Sequence, residues 1–546
     1  MSAPVPGIFS FQARSNLPGF FLALAFFCGG LRVQGGWLAF AVIFLPWFAF
    51  GRAPFAPGAR PWALLFFVWL ALAALFSPAP AVSWAAFARY LIPGLVFFMA
   101  ASAREGEANW LGAVLVLGTV CAAALVTQEI LGRSVTGLIG LNPNYTAAFA
   151  AAAFPAALLA AGGGSAVKKT LAAALAVLLA AGLLAAGSRG ALLAAFLSSA
   201  AALALTRSAR GLALLVCGAL AAFLLLPEAF LGGLVKLQDA RAFERPRLWG
   251  AALEIAAEYP FFGAGPGLFE RAFEIFKFPY FDGTAFYGHS TLHAHGELFN
   301  LAAEAGVPAA VFFVSAFVAA LWRGAKRSPP LAACALAVFI QGSADIVFHS
   351  GAVALLFWGT LGFLAPRAGD AGGPGKTARA ALALFCFAGL LAGLWPGAFN
   401  GVTDNLRRGA YEQASAGRTP ALNLALLRYA ALENPKNPFA ARAAGAAAAA
   451  AGNMDRAEKD LKTALALEPF FYGARLDLAK VYAAQGRGAL GCAQLGILDK
   501  QAPGVAVNGY QRALTDFNRP QMRRLKKELC LRTRPGAVIA PTRKTR

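Results

Sequence analysis

The sequence contains little charge for its length. Only 14% of its 546 residues are Asp, Glu, Lys or Arg, against about 25% in a typical soluble domain. In contrast, 59% of the residues are hydrophobic, and Phe alone occupies 46 positions. This balance excludes an ordinary soluble domain and is typical of a chain embedded in lipid.

Acidic residues are scarcer than basic ones, with 26 Asp and Glu against 48 Lys and Arg. Such an excess is typical of proteins that bind nucleic acid or an anionic membrane surface. Here the basic residues lie in short loops between apolar runs and in the C-terminal tail, as membrane topology requires. We therefore predict the lipid bilayer as a partner and no nucleic acid.

Cysteine is also rare, and its seven positions show no metal-ligand spacing. Five of them lie inside apolar runs and are interpreted as small hydrophobic residues. Cys492 and Cys530 lie in the polar C-terminal region. They would pair in an oxidising compartment and otherwise stay as two free thiols.

Long apolar runs, by contrast, are abundant. A membrane-spanning helix needs about 20 mostly apolar residues, and helices are the structure that such runs adopt in lipid. Thirteen runs qualify, and they are centred near Leu24, Ile43, Val68, Leu95, Leu115, Phe149, Val177, Phe196, Leu220, Phe313, Val338, Phe357 and Phe387. The sequence therefore predicts an all-α polytopic membrane protein of about 12–13 transmembrane helices, in which the first run is a retained helix.

Lys and Arg in the short loops predict which side each loop faces. With the N-terminus in the cytoplasm, the cytoplasmic side holds fourteen such residues. The opposite short loops hold four, namely Arg32, Arg89, Arg133 and Arg189. The large loop 228–297 and the region after the thirteenth run are therefore expected on the periplasmic side.

The C-terminal region, residues 400–546, follows a predicted membrane domain of residues 1–399 and has an internal period of 34. Asn434-Pro435 is followed by Glu468-Pro469, and Gly452 by Gly486. Paired helices at this period resemble tetratricopeptide repeats, with two good repeats and a degraded one at Thr403–Glu433. An irregular Ala-rich helical bundle is the alternative. Either arrangement predicts an interaction or positioning module, with a protein as the candidate partner, and not a catalytic domain.

Cations at the outer ends of the runs are the first candidates for chemistry. Arg189 lies in Gly187–Gly190, a break between two runs with almost no loop, and Arg245 and Arg247 begin a predicted helix in the large loop. Guanidinium groups bind phosphate oxygens in bidentate fashion. Arg189 could alternatively be an arginine that only reaches to the membrane interface.

Three of the four histidines lie within residues 289–295. His289, His293 and His295 have a spacing that a zinc site could use. The competing interpretation is a neutral histidine that acts as general base. Glu304 follows in the same predicted helix and would orient that histidine or face a polar cavity, and His349 lies in another outer loop.

Three ordered motifs carry a family resemblance. Leu193 stands four residues after Arg189, and Arg245 stands four before Trp249 in a helix that leads to Pro260 and Gly263–Gly265. Nine residues separate Gly296, which follows His295, from Gly306. Together these resemble the O-antigen ligase superfamily, with a core at about 130–365. The family usually has Asn, Ser or Gln where this chain has Gly296.

The resemblance implies a metal-independent, cofactor-free glycosyltransferase of the bacterial inner membrane. Its donor is a glycan on undecaprenyl diphosphate, and its acceptor is a hydroxyl of the lipid A core. The resemblance assigns Arg189 and Arg245 to the diphosphate and His295 to the acceptor. Arg247 and Glu304 are expected to bind substrate.

Other functions stay open at this point. A polymerase would take a second lipid-linked glycan as acceptor, and a protein O-oligosaccharyltransferase would take a Ser or Thr hydroxyl. A transporter is indicated only by Asp345 and Gln341 in the eleventh run, since transporters carry polar groups near the bilayer midplane. A scaffold with an inactive site is a further alternative.

Overall fold

The structure is a computed structural model. It describes residues 17–50, 60–102, 106–140, 142–225, 244–279, 287, 291–366, 375–393, 427–428, 431–432, 435–500 and 509–532. The chain divides into two compact units. Unit 1 comprises Met1–Phe269 and His293–Pro396, and unit 2 comprises Glu270–Leu292 and Gly397–Arg546.

The described residues of unit 1 are helical, without strands. The helices before the large loop are α1 Leu17–Phe27, α2 Gln34–Phe50, α3 Pro61–Leu75, α4 Pro80–Ser102, α5 Glu107–Ile130, α6 Pro143–Ala161, α7 Ala166–Ala185, α8 Arg189–Leu205 and α9 Ala209–Leu225. The loop carries α10 Arg245–Glu258 and α11 Phe269–Phe276, the second of which runs into unit 2. The helices after it are α12 Glu297–Ala305, α13 Val307–Gly324, α14 Pro329–Ser343, α15 Gly351–Leu364 and α16 Lys376–Ala392.

All thirteen predicted run centres fall inside one of these helices. Five helices, α4, α5, α6, α7 and α13, are long and apolar enough to cross a membrane, and seven more are apolar but shorter. Unit 1 is therefore a multi-pass membrane domain. The predicted full set of 12–13 spans and the periplasmic placement of the loop stay predictions. The loop residues 228–243, 280–286 and 288–290 and the cations Arg14, Arg52, Arg104 and Arg367 lie outside the described residues.

Small and aromatic side chains build the core of unit 1. A Cβ on Gly118 would lie 2.4 Å from Ala153 Cβ, and one on Gly182 would lie 2.6 Å from Ala122. Backbones this close allow the Ala-rich helices α5, α6 and α7 to pack tightly, as small residues do in membranes. Larger spaces are filled by aromatic rings that pack around the buried Trp358, mostly edge-on or tilted.

The prediction of one continuous helix from the histidines into the tenth run is wrong. His295 and Glu304 were expected to lie in the tenth run together with Phe313, but the chain breaks at Gly306, which has a φ of 85°. A Cβ on Gly306 would lie 1.9 Å from the carbonyl oxygen of Phe261. Because Gly306 adopts a left-handed conformation against another backbone, α12 is a separate nine-residue helix before the span α13.

Unit 2 contains α17 Pro438–Ala450, α18 Met454–Leu467, α19 Tyr472–Ala484, α20 Gly488–Lys500, α21 Gly509–Thr515 and α22 Arg519–Arg532. The first four form two hairpins that begin 34 residues apart, at 438 and 472. Gly452 and Gly486 make the turns at φ values of 78° and 73°. The helix pairing thus follows the predicted period, while most of the upstream repeat at 403–433 lies outside the described residues.

Two further contacts hold unit 2 together. Cys492 and Cys530 form a disulfide, which decides between the two expectations for these thiols. The loop segment 270–292 belongs to the same unit. The N–H of Tyr287 donates to the buried Glu468 carboxylate at 2.8 Å, and Lys436 Nζ donates to the carbonyl of Lys277 at 2.6 Å.

Candidate active site

His295 lies in a short connection that leads into α12. Its φ is +54°, a left-handed conformation that is uncommon for residues other than glycine and costs about 1–3 kcal/mol. Trp249 Nε1 donates to the His295 carbonyl at 3.2 Å, and Trp249 stacks on Phe299 at 5.1 Å. The indole therefore clamps the strained histidine from α10. Among the described residues, His295 Nδ1 is buried and has no hydrogen-bond partner.

Gly296 fits this clamp because it has no side chain. Its backbone is extended, at φ −176°, so its conformation does not require glycine. A Cβ, however, would lie 2.7 Å from the Ser343 carbonyl oxygen and 3.1 Å from Trp249 Nε1. Packing therefore favours glycine at this position, and His295 is oriented through backbone contacts.

Arg245 reaches the turn that follows α14. Its Nη1 donates to the Ala344 carbonyl at 2.6 Å, and its Nη2 to Asp345 Oδ2 at 3.3 Å. The Asp345 side chain is 2% exposed, whereas that of Arg245 is 30% exposed. The buried carboxylate thus orients the guanidinium, part of which stays exposed to solvent. Since Gly296 packs on Ser343, one turn holds both the histidine connection and the arginine.

Asp345 is also the meeting point of three helix N-termini. Asn144 Nδ2, in the first turn of α6, donates to Asp345 Oδ2 at 2.8 Å. A Cβ on Gly190, in the first turn of α8, would lie 4.0 Å from the same oxygen. Arg245 begins α10. Helix N-termini carry partial positive charge, so this region attracts anions.

Arg189 is the first residue of α8 and follows the N-cap Ser188, whose hydroxyl accepts from Ala191 N at 3.4 Å. Arg189 is exposed and directly precedes Gly190, the neighbour of Asp345. The structure therefore brings Arg189, Arg245 and His295 to one end of the helices in unit 1. Arg247 is exposed in the first turn of α10, two residues beyond Arg245.

Glu304 has a different position from the one expected for a substrate-binding residue. It is 5% exposed, and its Oε1 accepts the N–H of Phe269 at 3.1 Å. Burial raises the pKa of Glu304 to about 7, although hydrogen bonds from Gly267 and Phe269 oppose that rise. In this structure Glu304 therefore organises the glycine-rich turn.

Two backbone amides of that turn donate hydrogen bonds to carbonyls of α12. Ala264 N donates to the Ala303 carbonyl at 2.8 Å, and Gly265 N to the Glu304 carbonyl at 2.9 Å. Gly263, at φ +68°, approaches the α12 backbone so closely that a Cβ would lie 2.2 Å from the Glu304 carbonyl carbon. These glycines therefore shape the loop, because their neighbours' amides already have acceptors.

Two further histidines complete the region. The rings of His293 and His349 lie against each other with centroids 3.7 Å apart and a tilt of 30°, and the His293 ring lies 6.3 Å from the His295 ring. Burial lowers the pKa of His295, as does Arg245, while Asp345 raises it. Burial and neighbouring cations lower the pKa of His349 well below its usual value. At neutral pH His295 is therefore neutral and able to accept a proton.

A metal centre was the alternative interpretation of the histidines. Within the part of the chain that the structure describes, no group of three His, Cys, Asp or Glu residues is arranged to hold a metal ion. His289 lies outside that part.

Asp345 is the main residue that motif reasoning did not assign to the site. In the sequence, Asp345 and Gln341 indicate only a transporter. Gln341 Nε2 donates to the Asn144 carbonyl at 3.0 Å, so both residues belong to the network around Arg245. The signal in the sequence was an acidic residue near the C-terminal end of an apolar run, since an acid within such a run is a functional candidate by default.

The motif-bearing segment matches a family model. Residues 174–314 match the model of the O-antigen ligase family. The matched segment contains Arg189, Arg245 and His295, and the match supports a membrane glycosyltransferase of the ligase or polymerase type. No curated protein matches the chain.

Proposed function

We propose that this protein transfers a glycan from undecaprenyl diphosphate to an acceptor hydroxyl at the periplasmic face of the bacterial inner membrane. The acceptor that we propose is the lipid A core, which makes the protein an O-antigen ligase. The proposal depends above all on one observation, the turn Ser343–Asp345. It contacts Gly296 beside the neutral histidine and holds the open guanidinium of Arg245.

The proposed roles follow from the charges. In the reaction, the acceptor oxygen attacks the anomeric carbon of the glycan, and the bond from that carbon to the diphosphate breaks. Arg245 and Arg189 bind the diphosphate and stabilise the negative charge that it gains as it leaves. His295 takes the proton of the acceptor hydroxyl. Arg247, exposed beside Arg245, extends the cationic surface for the donor, and no metal is assigned a role.

Asp345 has a positioning role in this scheme. It orients Arg245, and its charge raises the pKa of His295 against the effect of burial. Its place in this network also accounts for the one feature that favoured a transporter, since Asp345 lies beyond the end of α14 with its carboxylate fully engaged.

One observation supports a periplasmic location for unit 2. The disulfide Cys492–Cys530 is typical of an oxidising compartment such as the periplasm. We propose that the tetratricopeptide-like hairpins bind a protein partner there.

The test is transfer by detergent-purified protein supplied with lipid-linked glycan and an acceptor, with a chelator present. His295→Asn is the decisive variant because Asn tolerates a left-handed backbone but cannot act as the base. We expect a loss of about 10²–10⁴-fold in rate with unchanged thermal unfolding. Arg133→Gln, an exposed arginine outside the network, is the matched control.

The acceptors separate the related activities. Lipid A core, a second lipid-linked glycan and a Ser-containing peptide are supplied in parallel, and transfer to lipid A core is expected. Transfer only to another acceptor would reassign the protein to polymerase or protein glycosylation. Transfer that stops on chelation, or that His295→Asn leaves unchanged, would contradict the mechanism.

A further inference from the structure

A second set of cations lies beside the His293–His349 pair. The turn Gly29–Leu31 packs on the residues that follow His349. Ser350 Oγ donates to the Gly30 carbonyl at 2.8 Å, and a Cβ on Gly351 would lie 2.7 Å from Leu31 Cβ. Arg32 is the next residue, so tertiary packing places it next to His349, more than three hundred positions away.

Tyr145, a residue of α6, holds the side chain of Arg32. Its guanidinium donates to the Tyr145 hydroxyl and lies over the Tyr145 ring, 4.3 Å from the centroid. Tyr145 directly follows Asn144, the partner of Asp345. Among the described residues, Arg32 Nε is buried without a hydrogen-bond partner. The contacts with Tyr145 therefore fix the arginine in place.

Arg89 joins this set from α4. Its Nη2 donates to Gln34 Oε1 at 2.6 Å, and Gln34 lies two residues after Arg32. Arg89 itself is exposed. Arg32 and Arg89 both contribute positive charge at His349. In the part of the chain that the structure describes, neither arginine forms an ion pair with an acid.

We propose that Arg32 and Arg89, with His293 and His349, form a second anion subsite that binds a phosphate group on the acceptor. This inference rests on the proposed function. The donor has one diphosphate, which Arg189 and Arg245 take. The acceptor hydroxyl must lie at His295, whose ring is 6.3 Å from that of His293. A phosphate on the same acceptor molecule then falls within reach of the second set of cations.

In this arrangement, charge on the acceptor determines the acceptor specificity. Guanidinium groups bind phosphate through charge-assisted hydrogen bonds, so an acceptor with phosphate groups is favoured over an uncharged glycan or a peptide hydroxyl. Arg133 is the fourth arginine predicted on this side, and it is exposed near the end of α5. It provides a matched control of the same charge and side.

The test compares two acceptors, lipid A core with its phosphates and the same acceptor after phosphatase treatment. In the wild type, phosphate removal should raise the acceptor KM by about tenfold or more, as expected for the loss of a charge-assisted hydrogen bond. Arg89→Gln should raise the KM for the phosphorylated acceptor similarly and leave that for the treated acceptor unchanged. The donor KM should not change, and Arg133→Gln should behave as wild type.

Equal use of both acceptors by the wild type, or a rise in donor KM in Arg89→Gln, would overturn the inference. Binding of fluorescent phosphorylated core oligosaccharide is measured without donor, so that the inference can be judged apart from catalysis. If no transfer occurs with any acceptor, the proposed function fails. The subsite still stands if this binding weakens on phosphatase treatment and in Arg89→Gln, and it falls if the binding is unaffected.

Discussion

Replacing Gly296 by Asn tests whether the site depends on packing or on a side-chain amide. The family resemblance alone implies that Gly296→Asn restores the usual residue and improves activity. The structure predicts the opposite, because the new Cβ would lie 2.7 Å from the Ser343 carbonyl and 3.1 Å from Trp249 Nε1. Both atoms belong to the clamp that holds His295 and Arg245 together.

Two opposing effects determine how much Gly296→Asn changes the free energy of unfolding. An extended backbone accepts any residue, so replacing glycine stabilises the protein by about 0.4–1 kcal/mol through the unfolded chain. Overpacking costs about 1–3 kcal/mol, and one of the obstructing atoms is backbone. We expect the free energy of unfolding to fall by about 1–2 kcal/mol. A shift of His295 approaching 1 Å would lower kcat by about 10²-fold.

The assay is the transfer reaction, together with thermal unfolding in detergent. Gly296→Ala should show most of the loss, because the clash arises at Cβ. Gly250→Ala is the control, since a Cβ on Gly250 in α10 meets nothing within 4 Å and should stabilise the helix by about 0.5–1 kcal/mol. Wild-type or higher activity and stability in Gly296→Asn would refute the packing argument.

Three further predictions follow from the described contacts. In Asp345→Asn, the loss of a negative charge should lower the pKa of His295 further and move the acid limb of the kcat/KM profile to lower pH. Activity at neutral pH should also fall, because Arg245 loses its ion-pair partner. An unshifted profile would show that Asp345 does not influence the titration of His295. Glu304 holds its proton to a pKa of about 7 in the folded state, above its ordinary value of about 4.3. Its protonated form therefore stabilises the fold fully below about pH 4 and loses that contribution as pH rises through about 7. Glu304→Gln should flatten thermal stability between pH 5 and 8, and an unchanged slope would argue against this titration. Cys492→Ser should destabilise unit 2 by about 2–4 kcal/mol, seen as faster proteolysis of that unit in the full-length protein, and reductant should have the same effect on the wild type but none on the variant.

Local pattern was sufficient for much of the fold. Each predicted run centre lies inside a helix, because a run of about 20 apolar residues in lipid satisfies its backbone only within itself. The predicted period of 34 likewise equals the spacing between the two hairpins, which begin at 438 and 472. The break at Gly306 was missed, since it depends on the approach of the Phe261 backbone, which no nearby residue encodes.

The sequence predicted some residues of the candidate site and missed the roles of others. Arg189, Arg245 and His295 were found because they lie in ordered motifs next to apolar runs, and the structure places them at one end of unit 1. Glu304 lies in a buried contact with the N–H of Phe269, which depends on how α12 packs against the glycine-rich turn. Asp345 carried a weak signal that pointed to another function.

The sequence by itself determined that this protein is helical and multi-pass, and which cations and histidines are available for chemistry. Composition and periodicity are sufficient for this because helix formation in lipid is a property of each segment. Only the tertiary structure decided that Asp345 holds Arg245 across one hundred positions, that Gly296 must be small, and that Arg32 lies beside His349. Those contacts arise where the ends of separate helices meet, and the packing of side chains along the whole bundle sets which ends come together.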